Sequence, residues 1–174
     1  MKRDYAYFAA FLLTVPAANY AIGHWGTECI PNGPCVIPVG FGLSAPSGVL
    51  FVGAALVLRD IVQERLGLLV AAIAVVLGSL LSGLVASPSL ALASILAFIV
   101  AEALDMVVYT PLRKKSVAVA VLASGLVGAV VDSVIFLLVA FGSLAFIEGQ
   151  IVGKLWVSLV VAAYFYARNA RVPK

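Results

Sequence analysis

Charge is what this sequence has least of. Eleven basic and eight acidic residues in a chain of 174 make 11%, against about 25% in an average soluble domain, and the shortage excludes an ordinary water-soluble globule. Histidine occurs once, at His24, and cysteine twice, at Cys29 and Cys35. One imidazole and two thiols are too few for a zinc site, so no metal is expected. GxSxG, HExxH and Walker-loop patterns are all missing, which removes the motif-borne routes to hydrolysis and nucleotide chemistry. An acid-based intramembrane enzyme would need a pair among Asp60, Glu102, Asp105 and Asp132, but no glycine-rich motif surrounds any of them. No enzymatic activity and no cofactor are expected.

Apolar residues, by contrast, make up 64% of the chain and the mean hydropathy is +1.16. A globule of this size would hold more apolar surface than it could hide. The solvent is therefore lipid. Runs of the length a bilayer requires, about 20 residues, fall at Tyr5–Ile22, Ser47–Leu66, Leu68–Ala86, Leu90–Tyr109, Val117–Phe141 and Gln150–Ala167. The expectation is an all-α integral membrane protein of six transmembrane helices, one domain over residues 1–174. Val36–Ala45, with Pro38, Gly40 and Gly42, reads as a re-entrant or lid-like segment. The first run continues past a usual leader core and Pro16-Ala17-Ala18 is a poor cleavage site, so it reads as a span and not a signal peptide.

The net charge of +3 and pI near 9.0 do not indicate nucleic acid, because the basic residues sit in short clusters between apolar runs. Lys2, Arg3, Arg59, Arg65, Arg113, Lys114, Lys115, Arg168, Arg171 and Lys174 all fall on one side, and only Lys154 lies within a span. The positive-inside rule then puts both termini in the cytoplasm of a plasma (inner) membrane protein. Cys29 and Cys35 share the first external loop, where a disulfide and two free thiols fit equally well.

Ionisable residues inside spans cost roughly 2.5 to 3.5 kcal/mol each at a helix centre, so they need partners or water. Glu102 and Asp105, three apart, share a face of the fourth span with Tyr109 one turn on. Asp60 and Glu64 with Arg59 and Arg65 read as a solvated helix end near the cytoplasm. Asp132, about 22 Å along the fifth span, is in the outer half of the membrane. Lys154, in the outer part of the sixth, shares that depth, so the two either pair or line one cavity. Gln150 and Glu148 read as interfacial. Small residues at fourth positions, Gly78-Ser82-Ala86, Ser124-Gly128, Ala6-Ala10 and Ala17-Ala21, allow close helix packing. The rows in the first span also suit docking to a second copy or to a partner membrane protein.

Four stretches together resemble the queuosine precursor transporter family, also called the vitamin uptake transporter family. They are Leu58-Arg59-Asp60-Ile61-Val62-Gln63-Glu64-Arg65-Leu66-Gly67, Ala101–Tyr109 with its Glu102, Asp105 and Val108-Tyr109, Val131-Asp132-Ser133-Val134-Ile135-Phe136, and Lys154 followed by Tyr164. Order and spacing agree from Ala45 to Arg168; Leu66 stands where the family has Tyr. The resemblance implies a six-span importer of 7-deazapurines such as preQ0 and preQ1, the precursors of a modified tRNA base. It also looks like the substrate-binding subunits of energy-coupling-factor importers, which dock on an ATPase module. A guanine-like edge presents two adjacent donors that one carboxylate accepts. Asp132 or Glu102 suits that role, Phe136 would cover the ring, Lys154 or Asn19 would donate to its carbonyl, and Asp60, Asp105 and Tyr109 complete the candidate site.

Overall fold

The computed structural model describes residues 2–31 and 33–170; Arg171 and Lys174, two of the charges read as topology signals, lie outside them. Six helices stand where six apolar runs were expected: α1 (Lys2–His24), α2 (Val49–Leu66), α3 (Leu68–Val85), α4 (Pro88–Leu112), α5 (Val117–Phe141) and α6 (Ile147–Ala170). Four contain stretches long and apolar enough to cross a membrane, Asp4–His24, Pro88–Leu112, Val117–Phe141 and Ile147–Tyr164, while the apolar part of α3, Leu68–Leu84, is shorter. Several such helices in one chain are the build of a multi-pass membrane protein.

Local chemistry sets the joints. Gly67 alone separates α2 from α3, at φ 91°, a conformation that glycine adopts without steric cost. Pro88 starts α4 where its missing N–H costs nothing. The Ser116 hydroxyl accepts from the Val119 amide to cap α5, and Gly142 ends that helix in the left-handed region at φ 64°.

The helices pack in a closed ring in the order α1, α2, α6, α5, α4, α3, with α2 also leaning inward against α3, α4 and α5. Their outward faces are apolar, with Leu69, Leu80, Leu84, Val107 and Val160 well exposed. Charged and polar side chains are inside: Arg59, Glu102, Asp105 and Lys154 are each 0% exposed. That arrangement suits lipid, which solvates leucine but not an ion. Glycine permits the closest approaches. A Cβ on Gly48 would lie 2.6 Å from the carbonyl oxygen of Ala18 on α1, and one on Gly53 would lie 3.0 Å from Cα of Lys154 on α6.

The segment between α1 and α2, where Val36–Ala45 was expected to be re-entrant or lid-like and not helical, has regular structure of its own. It is a three-stranded antiparallel sheet of β1 (Glu28–Cys29), β2 (Cys35–Gly40) and β3 (Leu43–Pro46). Its paired backbone groups satisfy one another, which a coil against apolar surroundings could not do. Cys29 and Cys35, partners across β1 and β2, form a disulfide. The hairpin between β2 and β3 turns at Phe41 and Gly42, both at positive φ, the backbone that a two-residue type I′ turn requires. Phe41 stacks on Trp156, whose indole nitrogen donates to the Val39 carbonyl at 2.9 Å. The sheet therefore lies on α6 and on the end of α1.

Gly48→Ala should lower thermal stability in detergent by about 1 to 3 kcal/mol, because the added methyl meets backbone that cannot step aside. Gly83→Ala, on an exposed face with nothing nearer than 3.8 Å, should instead gain about 0.5 to 1 kcal/mol.

Candidate functional site

Two polar centres sit one above the other inside the ring. The first is a cavity at the sheet end of the bundle. Thr14, Val15, Ala18, Asn19 and Ile22 of α1 line it with Val49, Val52 and Ala55 of α2. Ser94 and Phe98 of α4, Asp132 and Phe136 of α5 and Gln150 of α6 complete the wall. Pro16, between the lining residues Val15 and Ala18, has no N–H to donate to the Leu12 carbonyl one turn earlier.

The polar groups of the cavity are held by neighbours behind the wall. Asn19 Nδ2 donates to Ser82 Oγ at 2.6 Å and its Oδ1 accepts from Ser94 Oγ at 2.8 Å, tying α1 to α3 and α4. Lys154 is fully buried and donates to Asp132 Oδ2 at 2.6 Å, to Ser133 Oγ at 2.8 Å and to Gln150 Oε1 at 2.6 Å. All three ammonium protons are thereby satisfied. Asp132, not Lys154, reaches the cavity, so both alternatives the sequence left open hold together: the two residues pair, and the acid of the pair lines the space. Gln150, read as interfacial, is 3% exposed and belongs to this centre. Its place i, i+4 from Lys154 was the available signal.

The second centre lies one helical turn deeper. Ala55 and Phe98 are on the cavity wall, and Arg59 and Glu102 follow each of them by four residues, about 6 Å along the helix. The Arg59 guanidinium meets three carboxylates at once. Its Nε is 2.7 Å from Glu102 Oε2, its Nη1 2.8 Å from Asp60 Oδ1 and its Nη2 2.5 Å from Asp105 Oδ1. Nη1 also donates to Gln63 Oε1 at 3.1 Å, and the Tyr109 ring centre lies 5.7 Å from Cζ. Gln63 continues the network to Thr110 Oγ1 at 2.9 Å, which donates to the Met106 carbonyl. Beyond them, at the partly exposed rim, Arg113 pairs with Glu64 at 2.8 Å.

Two sequence expectations are corrected here. Arg59 is not a topology charge, and Asp60 is not part of a solvated helix end: they are 0% and 2% exposed, while Glu64 and Arg65, one turn on, are exposed. The reason is facing. Arg59 and Gln63 are four apart and share the inner face of α2, which the bundle seals, and Asp60 lies a turn deeper than Glu64, where Ser124 of α5 covers it, whereas Glu64 and Arg65 are past that cover. The eight expected site residues thus divide. Asp132, Phe136 and Asn19 line the cavity, with Lys154 directly behind; Glu102, Asp105, Asp60 and Tyr109 gather around Arg59. Reading the sequence missed Arg59, Gln150, Thr14, Ser94 and Phe98.

Removing Arg59 would leave three buried carboxyl groups without their shared donor. Arg59→Leu should cost about 3 kcal/mol or more of stability, and Arg59→Lys should recover little of it, since one ammonium cannot span carboxylates that a three-nitrogen fork holds. Arg65→Lys, on the exposed face, should stay within about 0.5 kcal/mol. Thermal unfolding in detergent compares the three.

Residues 83–168 match a family described as "Putative vitamin uptake transporter". The matched segment contains the Glu102, Asp105, Asp132 and Lys154 stretches but not Arg59 or Asp60. No curated protein and no solved structure matches the sequence. Over residues 83–168, just under half of its length, the chain is similar to the vitamin uptake transporter family, in agreement with the resemblance of its motifs, and that family is described as one of transporters and not of enzymes.

Proposed function

We propose that the chain imports 7-deazapurine precursors of queuosine, such as preQ0 and preQ1, across the plasma (inner) membrane, working as one domain of six spans with both termini in the cytoplasm. The observation that carries this reading is Asp132, the one ionisable side chain on the wall of a cavity that Phe98, Phe136 and aliphatic side chains line together with the neutral polar Thr14, Asn19, Ser94 and Gln150. A planar bicyclic heterocycle suits that space: the carboxylate accepts its two adjacent N–H donors and the rings cover its faces. Asn19 has a second amide proton, and Gln150, with Oε1 taken by Lys154, has an amide NH2, so each can donate to the ring carbonyl. Lys154 balances Asp132, which leaves the cavity without net charge and favours a ligand whose ring is neutral. The alternative, a non-transporting membrane scaffold in which the carboxylates only pair helices, would gain nothing from such a space.

In this orientation the cavity and the sheet are external and the Arg59 centre closes the inner half. Substrate received beside Asp132 can move on only when the contacts that Arg59 makes between α2 and α4 loosen. Glu102 and Asp105 therefore act at the inner gate and Asp132 in the binding site.

Saturating preQ0 or preQ1, at about a hundred times Kd, should raise the stability of the purified protein by about 2.7 kcal/mol, with no comparable effect of riboflavin. No stabilisation by any purine-like compound would reject the reading. Asp132→Asn combined with Lys154→Met removes both charges and should fold close to normally. It should nonetheless bind preQ1 about 30- to 150-fold more weakly, a loss of about 2 to 3 kcal/mol. Wild-type affinity in that double variant would take Asp132 out of the site. Orientation is tested separately: after mild reduction of intact cells, an impermeant thiol reagent should label Cys29 and Cys35, and labelling only after lysis would invert the topology.

A further inference from the structure

The charges around Arg59 do not balance. One guanidinium faces Asp60, Glu102 and Asp105, a formal sum of two negative charges, in a centre where Arg59, Glu102 and Asp105 are fully buried and Asp60 is 2% exposed. The surroundings supply no compensation. From α2 the facing groups are Arg59, Asp60 and the neutral Gln63; from α4 they are Glu102, Asp105 and Tyr109. From α5 comes Ser124, whose hydroxyl lies 3.4 Å from Asp60 Oδ2, and Asp132, whose charge acts on Glu102. Lys154 of α6 is committed to Asp132, and Arg113 at the rim to Glu64.

An independent observation indicates how the excess is met. Glu102 Oε1 is sealed from solvent and has no hydrogen-bond partner, a costly state for an ionised oxygen, and a single hydroxyl, that of Ser124, serves both Asp60 and Asp105. A carboxyl that carries a proton there is neutral and needs far less solvation. A metal ion is no alternative, because Arg59 occupies the middle of the group and no three acidic, thiol or imidazole groups among the described residues converge to hold one.

We propose that the Arg59 centre is a proton-binding site that holds two protons shared among Asp60, Glu102 and Asp105, and that at least one of them enters with each substrate molecule. The proton passes from external water to a carboxylate oxygen and leaves to cytoplasmic water when the inner half opens, with no other bond made or broken. The position of the centre supports the coupling, since it lies one helical turn beneath the cavity and joins the two helices that must part. With its carboxyls protonated, Arg59 keeps one full ion pair instead of three, and the contact between α2 and α4 weakens. The proton site stands on the geometry alone; its coupling to uptake rests on the importer reading above.

Infrared spectroscopy of the purified wild-type protein at neutral pH should show the carbonyl band of a protonated carboxyl group, sensitive to deuterium and diminished in Glu102→Gln. Its absence would overturn the proposal without any variant having to fold. In proteoliposomes, preQ1 counterflow without a gradient tests the importer, and accumulation under an inside-alkaline gradient tests the coupling. One coupled proton sets a ceiling of about tenfold accumulation per pH unit and two about a hundredfold. Counterflow without gradient-driven accumulation would overturn the proposal and leave the importer standing. Absent counterflow with the infrared band present would reject the substrate and keep the proton site.

Discussion

A buried guanidinium in lipid is the constraint on which this fold turns. Arg59 has no route to water from the inner face of α2, so the bundle must bring acceptors to it, and α4 supplies two of them at Glu102 and Asp105. That requirement fixes the rotation of both helices about their axes, since a turn of either by one residue would face the ions toward lipid at a cost of several kcal/mol. Once α2 and α4 are set, their apolar faces follow. Val57 and Tyr109 pack with Ala118, Val121 and Ala162 on one side, and Ala55 and Phe98 pack with Phe11, Val15 and Val75 on the other.

The second pair repeats the device with a different purpose. Lys154 and Asp132 join α6 to α5 with their charges balanced, and Ser133 and Gln150 complete the ammonium's three bonds. Gly53 lets α2 lie against the backbone of Lys154 itself, so the lysine is locked between α2 and α5 and only its acidic partner faces open space. A satisfied lysine and an available carboxylate would serve the recognition of N–H donors proposed above. Rigidity there comes from packing that a longer residue at position 53 would disrupt.

The helices were legible in the sequence because lipid imposes a single rule, an apolar run of sufficient length, and breaks between runs carry glycine, proline or charge. Asp132, Glu102 and Lys154 were legible for the same reason, as exceptions to the rule. Arg59 was not. Adjacent to Asp60 and a few residues from Glu64 and Arg65, it looks like part of a helix end in water, and only the tertiary arrangement shows that the inner face of α2 stays sealed for one more turn. The hairpin was missed because Pro38, Gly40 and Gly42 read as irregular backbone, while the pairing of Val36 with Pro46 and of Ile37 with Ala45 depends on a turn that places Phe41 at positive φ. The cavity wall was beyond reach of any local pattern. Asn19 is fixed by residues 63 and 75 positions away, and no spacing rule spans such distances.

In the importer proposed above, the stacking of the two centres would separate recognition from gating. A ligand at Asp132 meets a neutral environment, because Lys154 has cancelled the charge, and binding there need not disturb the excess acid below. The Arg59 centre holds α2 to α4 through charge-assisted contacts whose strength depends on how many of its carboxyls are ionised. Occupancy of the cavity and ionisation of the centre are thus set by different chemistry, yet both act on α2 and α4, through Ala55 and Phe98 above and Arg59 and Glu102 below. Two rigid helices that carry one wall of the cavity and one half of the gate each can couple the sites without a relay of side chains, since any tilt that opens the lower contact also reshapes the upper wall.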